Sequence, residues 1–159
     1  MIKVNIIALG KLKEKYLVSA SDEYIKRLKG YCNLEITELE PIRLPEKPSQ
    51  SEIDKALAKE AEMINAKIPK SGTVVAMCIE GKQLSSEELA GKIGDASALG
   101  QSMTFIIGSS HGLSSEIKNR ADIRLSVSKM TFPHQLFRVM LLEQIYRGFK
   151  ICEGSAYHK

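Results

Sequence analysis

Apolar and polar positions fall in blocks along this chain, and the blocks change period. Residues 3–9 are apolar and β-branched, and Gly10 ends the run, which predicts a first strand. Over 14–28, Leu17, Ala20, Tyr24 and Leu28 recur at helical spacing. Residues 34–39 alternate apolar and polar, the pattern of a half-buried strand. PIRLPEKPSQ, with its three prolines, predicts a loop. Ser51 and Asp54 are expected to open a second helix as a weak capping box. Ile53, Leu57, Ile64 and Ile68 supply its apolar stripe, and Pro69 follows its end.

The second half is more regular. TVVAMCIEG is a continuous apolar run, as in a strand buried on both faces. Ser85 and Glu88 form an S-x-x-E capping box before a helix reaching about Leu99. MTFIIG predicts another buried strand, Ser114 or Ser115 starts a short helix, and RLSVS is a third short strand. Pro133 suits the first turn of a last helix, which runs to about Cys152 before Gly154. Strands and helices alternate, which predicts one α/β domain over 1–159. Its sheet is mainly parallel with helices on both faces.

Composition narrows this picture. The chain has 159 residues, 43% apolar and 26% charged, as expected of a globular domain with one core. No apolar run approaches the roughly 20 residues of a membrane span, and the N-terminal segment lacks the pattern of a signal peptide. Cys32, Cys78 and Cys152 are scattered and odd in number. They predict neither a disulfide framework nor a metal site, and a reduced, cytoplasmic setting. Cys78, inside an apolar run, is expected in the core. Net charge is only +4, but Lys11, Lys13, Lys15, Lys26, Arg27 and Lys29 crowd the first thirty residues. They are either a solvated helix face or a surface that contacts nucleic-acid phosphate.

Candidate chemistry gathers at three strand-to-loop junctions, 77–81, 107–112 and 126–132, because ligands of parallel sheets collect at the carboxyl ends of strands. The IGSSHGL loop permits close backbone approach to a ligand, or is a tight structural turn. The chain contains neither G-x-G-x-x-G nor G-x-x-x-x-G-K-[ST], which disfavours classical dinucleotide and P-loop chemistry. The last helix is apolar on more than one side, through Leu136, Phe137, Val139, Met140, Leu141, Leu142, Ile145, Tyr146, Phe149 and Ile151. It is therefore central to the core or covered by a second copy, and a homodimer is expected. Glu143 and Arg147, four apart, are set for an ion pair. Pro133 and Phe132 provide no cap, so the helix start has donors free for a ligand. His134 sits there, either bonded within the fold or facing that ligand.

The stretch from IIG at Ile106 to Gly108, through LSVSKMTFPHQLFRVMLLEQIYR, to the terminal YHK resembles the RlmH family. These are small bacterial SPOUT-class methyltransferases that act on 23S ribosomal RNA. The opening ALGKLKEKY and the following EYIKRL resemble the family's start, so the likeness runs end to end. The resemblance implies a SPOUT fold with a deep trefoil knot near the C-terminus, a homodimer, and S-adenosylmethionine as cofactor. It implies N3 methylation of a pseudouridine in the intersubunit stem-loop of 23S rRNA, on the assembled ribosome. It places cofactor contacts on Met77, Gly108, Val127, Ser128, Lys129, Met130, Thr131 and Phe132. Two departures stand out: Ser109 where many members have a second glycine, and Met77 where leucine is common.

Under that resemblance the front flank of the last helix holds the methyl donor and the back flank reaches the nucleotide. The imide N3 must lose a proton, so a general base is expected, with His158 first and His134 second. Tyr157 is expected to stack on a base. Arg138 is expected to contact RNA phosphate or brace the knot loop. Two other classes fit the same features: a catalytically silent RNA-binding dimer, and a methyltransferase of the same fold acting on transfer RNA.

Overall fold

Five strands pair edge to edge, all parallel, in the order β2-β1-β4-β3-β5. The computed structural model covers Met1 to Lys159 and gives the strands as β1 (Ile2–Leu9), β2 (Cys32–Leu39), β3 (Thr73–Gln83), β4 (Met103–Ile107) and β5 (Ile123–Ser126). Helices α1 (Lys15–Leu28), α2 (Gln50–Asn65), α3 (Ser86–Ala98), α4 (Ser115–Arg120) and α5 (His134–Cys152) alternate with them. Because every pairing is parallel, all strand carboxyl ends lie along one edge of the sheet.

The two-residue period of the strands sorts side chains onto two cores. Val4, Ile6, Ala8, Val75, Met77, Met103, Phe105 and Ile107 pack against α1, α3 and α5. Ile7, Leu9, Val74, Ala76 and Ile106 face the other way, with Ala61 and Ile64 of α2 and Ile117 of α4. β4 lies between β1 and β3 and is buried along its whole length. Its isoleucines and phenylalanine each contribute roughly 1.5–3 kcal/mol of apolar burial.

α5 crosses both α1 and α3. Its buried residues include Phe137, Val139, Leu141, Leu142, Ile145 and Phe149, so its wide apolar surface is largely consumed within one chain. Gly148 permits the close approach to α3, since a Cβ there would sit 2.6 Å from Ile93 Cδ1.

The structure corrects several local expectations. The capping box of α2 is Ser49 with Glu52, not Ser51 with Asp54. Glutamate is long enough to reach back to the N-cap amide, whereas Asp54 accepts from Gln50 instead. Ile68 lies past the end of α2. RLSVS is a strand only as far as Ser126, and Pro133 is the N-cap of α5 rather than its first helical residue. Cys78 is half-buried, outside the core, because β3 leaves regular pairing after Met77.

Candidate functional site

The register of β3 against β5 shifts between Met77 and Lys82, so residues 78–81 bulge at the strand end. Gly81 crosses β5 so closely that a Cβ there would lie 2.8 Å from the Arg124 backbone. The bulge brings Cys78, Ile79 and Glu80 to a cleft above the sheet edge.

The second wall is the loop after β4. Gly112, at φ +81°, donates its N–H to the Ser109 carbonyl at 2.9 Å and closes the turn. Gly108 lies so near this closure that a Cβ would fall 2.3 Å from Gly112 O. The Ser109 hydroxyl donates to Glu60 Oε1 at 2.8 Å, while Glu60 Oε2 accepts from Ile42 N–H at 3.0 Å.

The third wall is the loop after β5. Ser126 Oγ donates to the Ser128 carbonyl at 2.9 Å, and Met130 N–H donates to Ser128 Oγ at 2.9 Å, so two hydroxyls fold the loop onto itself. The loop ends at Pro133, which caps α5 without a side-chain bond, leaving amides of the first turn unpaired within the helix.

Together the three loops enclose a cleft of about 760 Å³, within the range of small-molecule sites. Of the residues placed there by resemblance, Met77, Gly108, Val127, Ser128, Met130, Thr131 and Phe132 line it. Lys129 is exposed and does not. Leu113, the last residue of the IGSSHGL loop, lines it as well; Lys118 of α4 and Phe137 of α5 also do, and sequence reasoning missed these two, because each belongs to a helix beyond the loop that brings it in.

Lys118 and Glu80 form an ion pair at one end of the cleft, and that hydrogen bond holds the Glu80 carboxyl below its usual range. Burial, then the Glu80 charge, pushes the Cys78 thiol up, so it stays protonated and is not an activated nucleophile. His134 lines the cleft. Burial first, then the charges of Arg138 and Lys13, lowers its pKa, so its ring is neutral at pH 7. No group of three or more His, Cys, Asp or Glu is placed to hold a metal ion.

The other candidates lie elsewhere. Arg138 is 4% exposed; it pairs with Glu38 and donates to the Gly10 carbonyl at 2.8 Å. It braces the end of β1 and is not at the surface for a phosphate. Tyr157 and His158 do not line the cleft of their own chain. The Tyr157 hydroxyl donates to Glu143 at 3.1 Å, and its ring meets Tyr146 edge-on at 5.0 Å. Arg147 donates to His158 Nδ1 at 3.2 Å while also pairing with Glu143, the ion pair the spacing predicts. The arginine proton leaves Nε2 as the protonated nitrogen of a neutral ring, and Nε2 donates to Glu87 at 2.7 Å. The tail is thus docked on α3 and α5 of its own chain.

The family model described as Predicted SPOUT methyltransferase matches residues 2–158. The chain is 50% identical to ribosomal RNA large subunit methyltransferase H of Carboxydothermus hydrogenoformans, 51% to that of Clostridium kluyveri and 50% to that of Clostridioides difficile. Each match covers 99% of this chain and 100% of the relative. A solved structure of a probable methylase family protein from Haemophilus influenzae superimposes with a TM-score of 0.54 at 13% identity, covering 99% of this chain and 70% of that one. A structure described through 2-OH methylation of C/U34 on tRNA gives 0.51 at 14% identity, covering 96% and 98%. At such identities these two likenesses establish the fold alone.

Proposed function

Since the chain belongs to the SPOUT methyltransferase family, whose methyl donor is S-adenosylmethionine, we propose that it methylates large-subunit ribosomal RNA. The names carried by relatives at about half identity support that substrate. The finer proposal is transfer to N3 of a pseudouridine in the intersubunit stem-loop of 23S rRNA, on the assembled ribosome. It rests on the likeness of SKMTFPHQ and the terminal YHK to the RlmH family. The observation that carries the reading is the convergence of the loops after β3, β4 and β5 on one cleft.

The cleft fits the donor. Met77, Ile107, Leu125, Val127 and Phe132 give apolar walls for a purine, and the Gly108 turn admits close backbone approach. Bound there, the donor supplies an activated methyl group, so the protein's main task is to align the acceptor in line with it. The acceptor imide must lose a proton. His134 is the acceptor of that proton in this proposal, since its ring is neutral and lines the cleft. Both ring nitrogens of His158 are bonded, to Arg147 and Glu87, which supports placing His134 ahead of His158 in this proposal.

Tyr157 and His158 act in the proposal from a second copy, as a clamp on the nucleotide. Their absence from their own chain's cleft supports this arrangement. A groove lined by Tyr24, Leu84, Leu89, Val139 and Met140 runs beside the cleft along α5 and supports a homodimer through that face. The trefoil knot, with its loop at residues 127–132, belongs to the same proposal, supported by the SPOUT family membership.

The test is mass spectrometry of rRNA and tRNA from a strain lacking the gene. The reading expects loss of one methyl from one 23S pseudouridine, restored by the wild-type gene. A methyl lost from tRNA would transfer the activity there. Unchanged RNA with ribosome binding retained would make the protein a silent binder.

A further inference from the structure

The six basic residues grouped by the sequence do not form one surface. α1 separates Lys11, Lys13 and Lys15 from Lys26, Arg27 and Lys29 by about 18 Å of helix. The second group lies where α1 leads into β2, at the opposite edge of the sheet from the cleft. Arg27 there is occupied by Glu23. The first group lies in the β1–α1 connection, at the carboxyl edge, beside the cleft.

That connection is tied to the cleft rim at several points. The chain turns at Gly10, φ +106°, and a Cβ on Gly10 would lie 3.9 Å from His134 Nε2 in the cleft wall. Lys13 N–H donates to Gln135 Oε1 at 2.9 Å, and buried Arg138 donates to the Gly10 carbonyl at 2.8 Å. The ammonium of Lys13 is close enough to act on His134.

No salt bridge in the fold occupies the three lysine side chains. All are exposed and none has a carboxylate partner. Lys15 begins α1, whose first turn holds no acidic residue, so its charge opposes the helix dipole. Glu14 offsets one charge of the three, leaving a local excess of two. Tyr16 beside them is 69% exposed, a large ring that packing does not explain. Cations set against a dipole, with a free aromatic, on a loop pinned to a reaction cleft, suit a polyanion bearing bases.

We propose that the β1–α1 connection, through Lys11, Lys13 and Lys15, holds the phosphate backbone of the substrate RNA beside the cleft. The proposal rests on the reading of the chain as an rRNA methyltransferase. Lysines specify no sequence, so their contribution is register and affinity. Each phosphate contact releases counterions, and three contacts add about 2 to the slope of log affinity against log salt.

The test compares K11Q/K13Q/K15Q with K29Q/K67Q/K70Q, which removes the same charge from exposed, unpaired lysines at the opposite edge. Both ribosome binding, by sedimentation, and methyl transfer are followed across a series of KCl concentrations. The first triple variant should bind ribosomes at least tenfold more weakly at low salt, and its salt slope should fall by about 2. Its S-adenosylmethionine affinity, by calorimetry, should be unchanged, and the second variant should match wild type. Equal binding and equal slopes for both variants would overturn the proposal even if methylation proceeds. Lysine-dependent ribosome binding without any methyl transfer would keep this surface and sink the enzymatic reading instead.

Discussion

The Ser109 hydroxyl donates to Glu60 Oε1 at 2.8 Å, and through this bond α2 holds the loop that forms one wall of the cleft. Glu60 is 3% exposed and also accepts from Ile42 N–H, so one carboxylate joins the proline-rich segment, α2 and the cleft. Ser109 is therefore held by a buried partner. Glu60→Ala would leave two donors without their acceptor, at a cost of about 1–3 kcal/mol each. It should lower the melting temperature by several degrees and weaken donor binding. Ser109→Gly, which keeps the turn, should lose less of both. Scanning calorimetry and titration of S-adenosylmethionine measure the two effects.

Gly108 carries a second prediction. A larger side chain would be expected to act by filling the pocket, but a Cβ alone already meets Gly112 O at 2.3 Å. Gly108→Ala should therefore suffice to displace the loop and reduce donor affinity by at least about tenfold, or 1.4 kcal/mol. The fold should persist by circular dichroism, since the collision is confined to the turn. Wild-type affinity in a folded Gly108→Ala protein would remove this loop from the site.

The tail gives a third. Deleting residues 157–159 leaves the Glu143–Arg147 pair within α5 and should lower stability only modestly, because the bonds and the ring contact it removes lie at the surface and not in the core. Methyl transfer to ribosomes should nevertheless be mostly lost while donor affinity stays. Tyr157→Phe, which keeps the ring and drops the Glu143 bond, should retain most activity if the ring clamps the nucleotide. Equal loss in Tyr157→Phe and in the deletion would show that docking to Glu143 is what matters.

His134 sets the pH dependence. Burial and two cationic neighbours lower its pKa from the ordinary value near 6.5. The neutral ring needed to accept a proton therefore persists to lower pH than in a free histidine. Single-turnover rates should rise with pH to a plateau, with the midpoint of the rise lying below that of an ordinary histidine. Lys13→Gln removes one of the lowering charges and should move that rise to higher pH. His134→Ala should abolish the rise and slow transfer about a hundredfold. A rise that survives in His134→Ala but vanishes in His158→Ala would return the base to the tail.

Much of this was legible in the sequence because the signals were local. Apolar runs, one alternating and the others largely continuous, found all five strands, and S-x-x-E found the start of α3. Three loops at strand ends were enough to locate the cleft, since a parallel sheet puts such loops on one edge. What could not be read was set by distant partners. Cys78 looked like core because its neighbours are apolar, yet the bulge against β5 turns that stretch to the cleft. Arg138 was expected to meet RNA phosphate or brace the knot loop, but Glu38 and Gly10, 100 and 128 residues away in sequence, hold it inside. The breadth of the apolar face of α5 had two explanations, and packing against α1 and α3 accounts for most of it, while half-buried Met140 stays on the groove that the proposed homodimer would cover.

The central claim is that this cleft delivers a methyl group to large-subunit rRNA. The most direct measurement is transfer of labelled methyl from S-adenosylmethionine, by the purified protein, to ribosomes from a strain lacking the gene. Label is then mapped by nuclease digestion. The account predicts one methyl per ribosome, on 23S rRNA at a pseudouridine, none on free tRNA, and none with the Gly108→Ala protein. Label on tRNA, or equal labelling of 23S rRNA by wild type and Gly108→Ala, would contradict it.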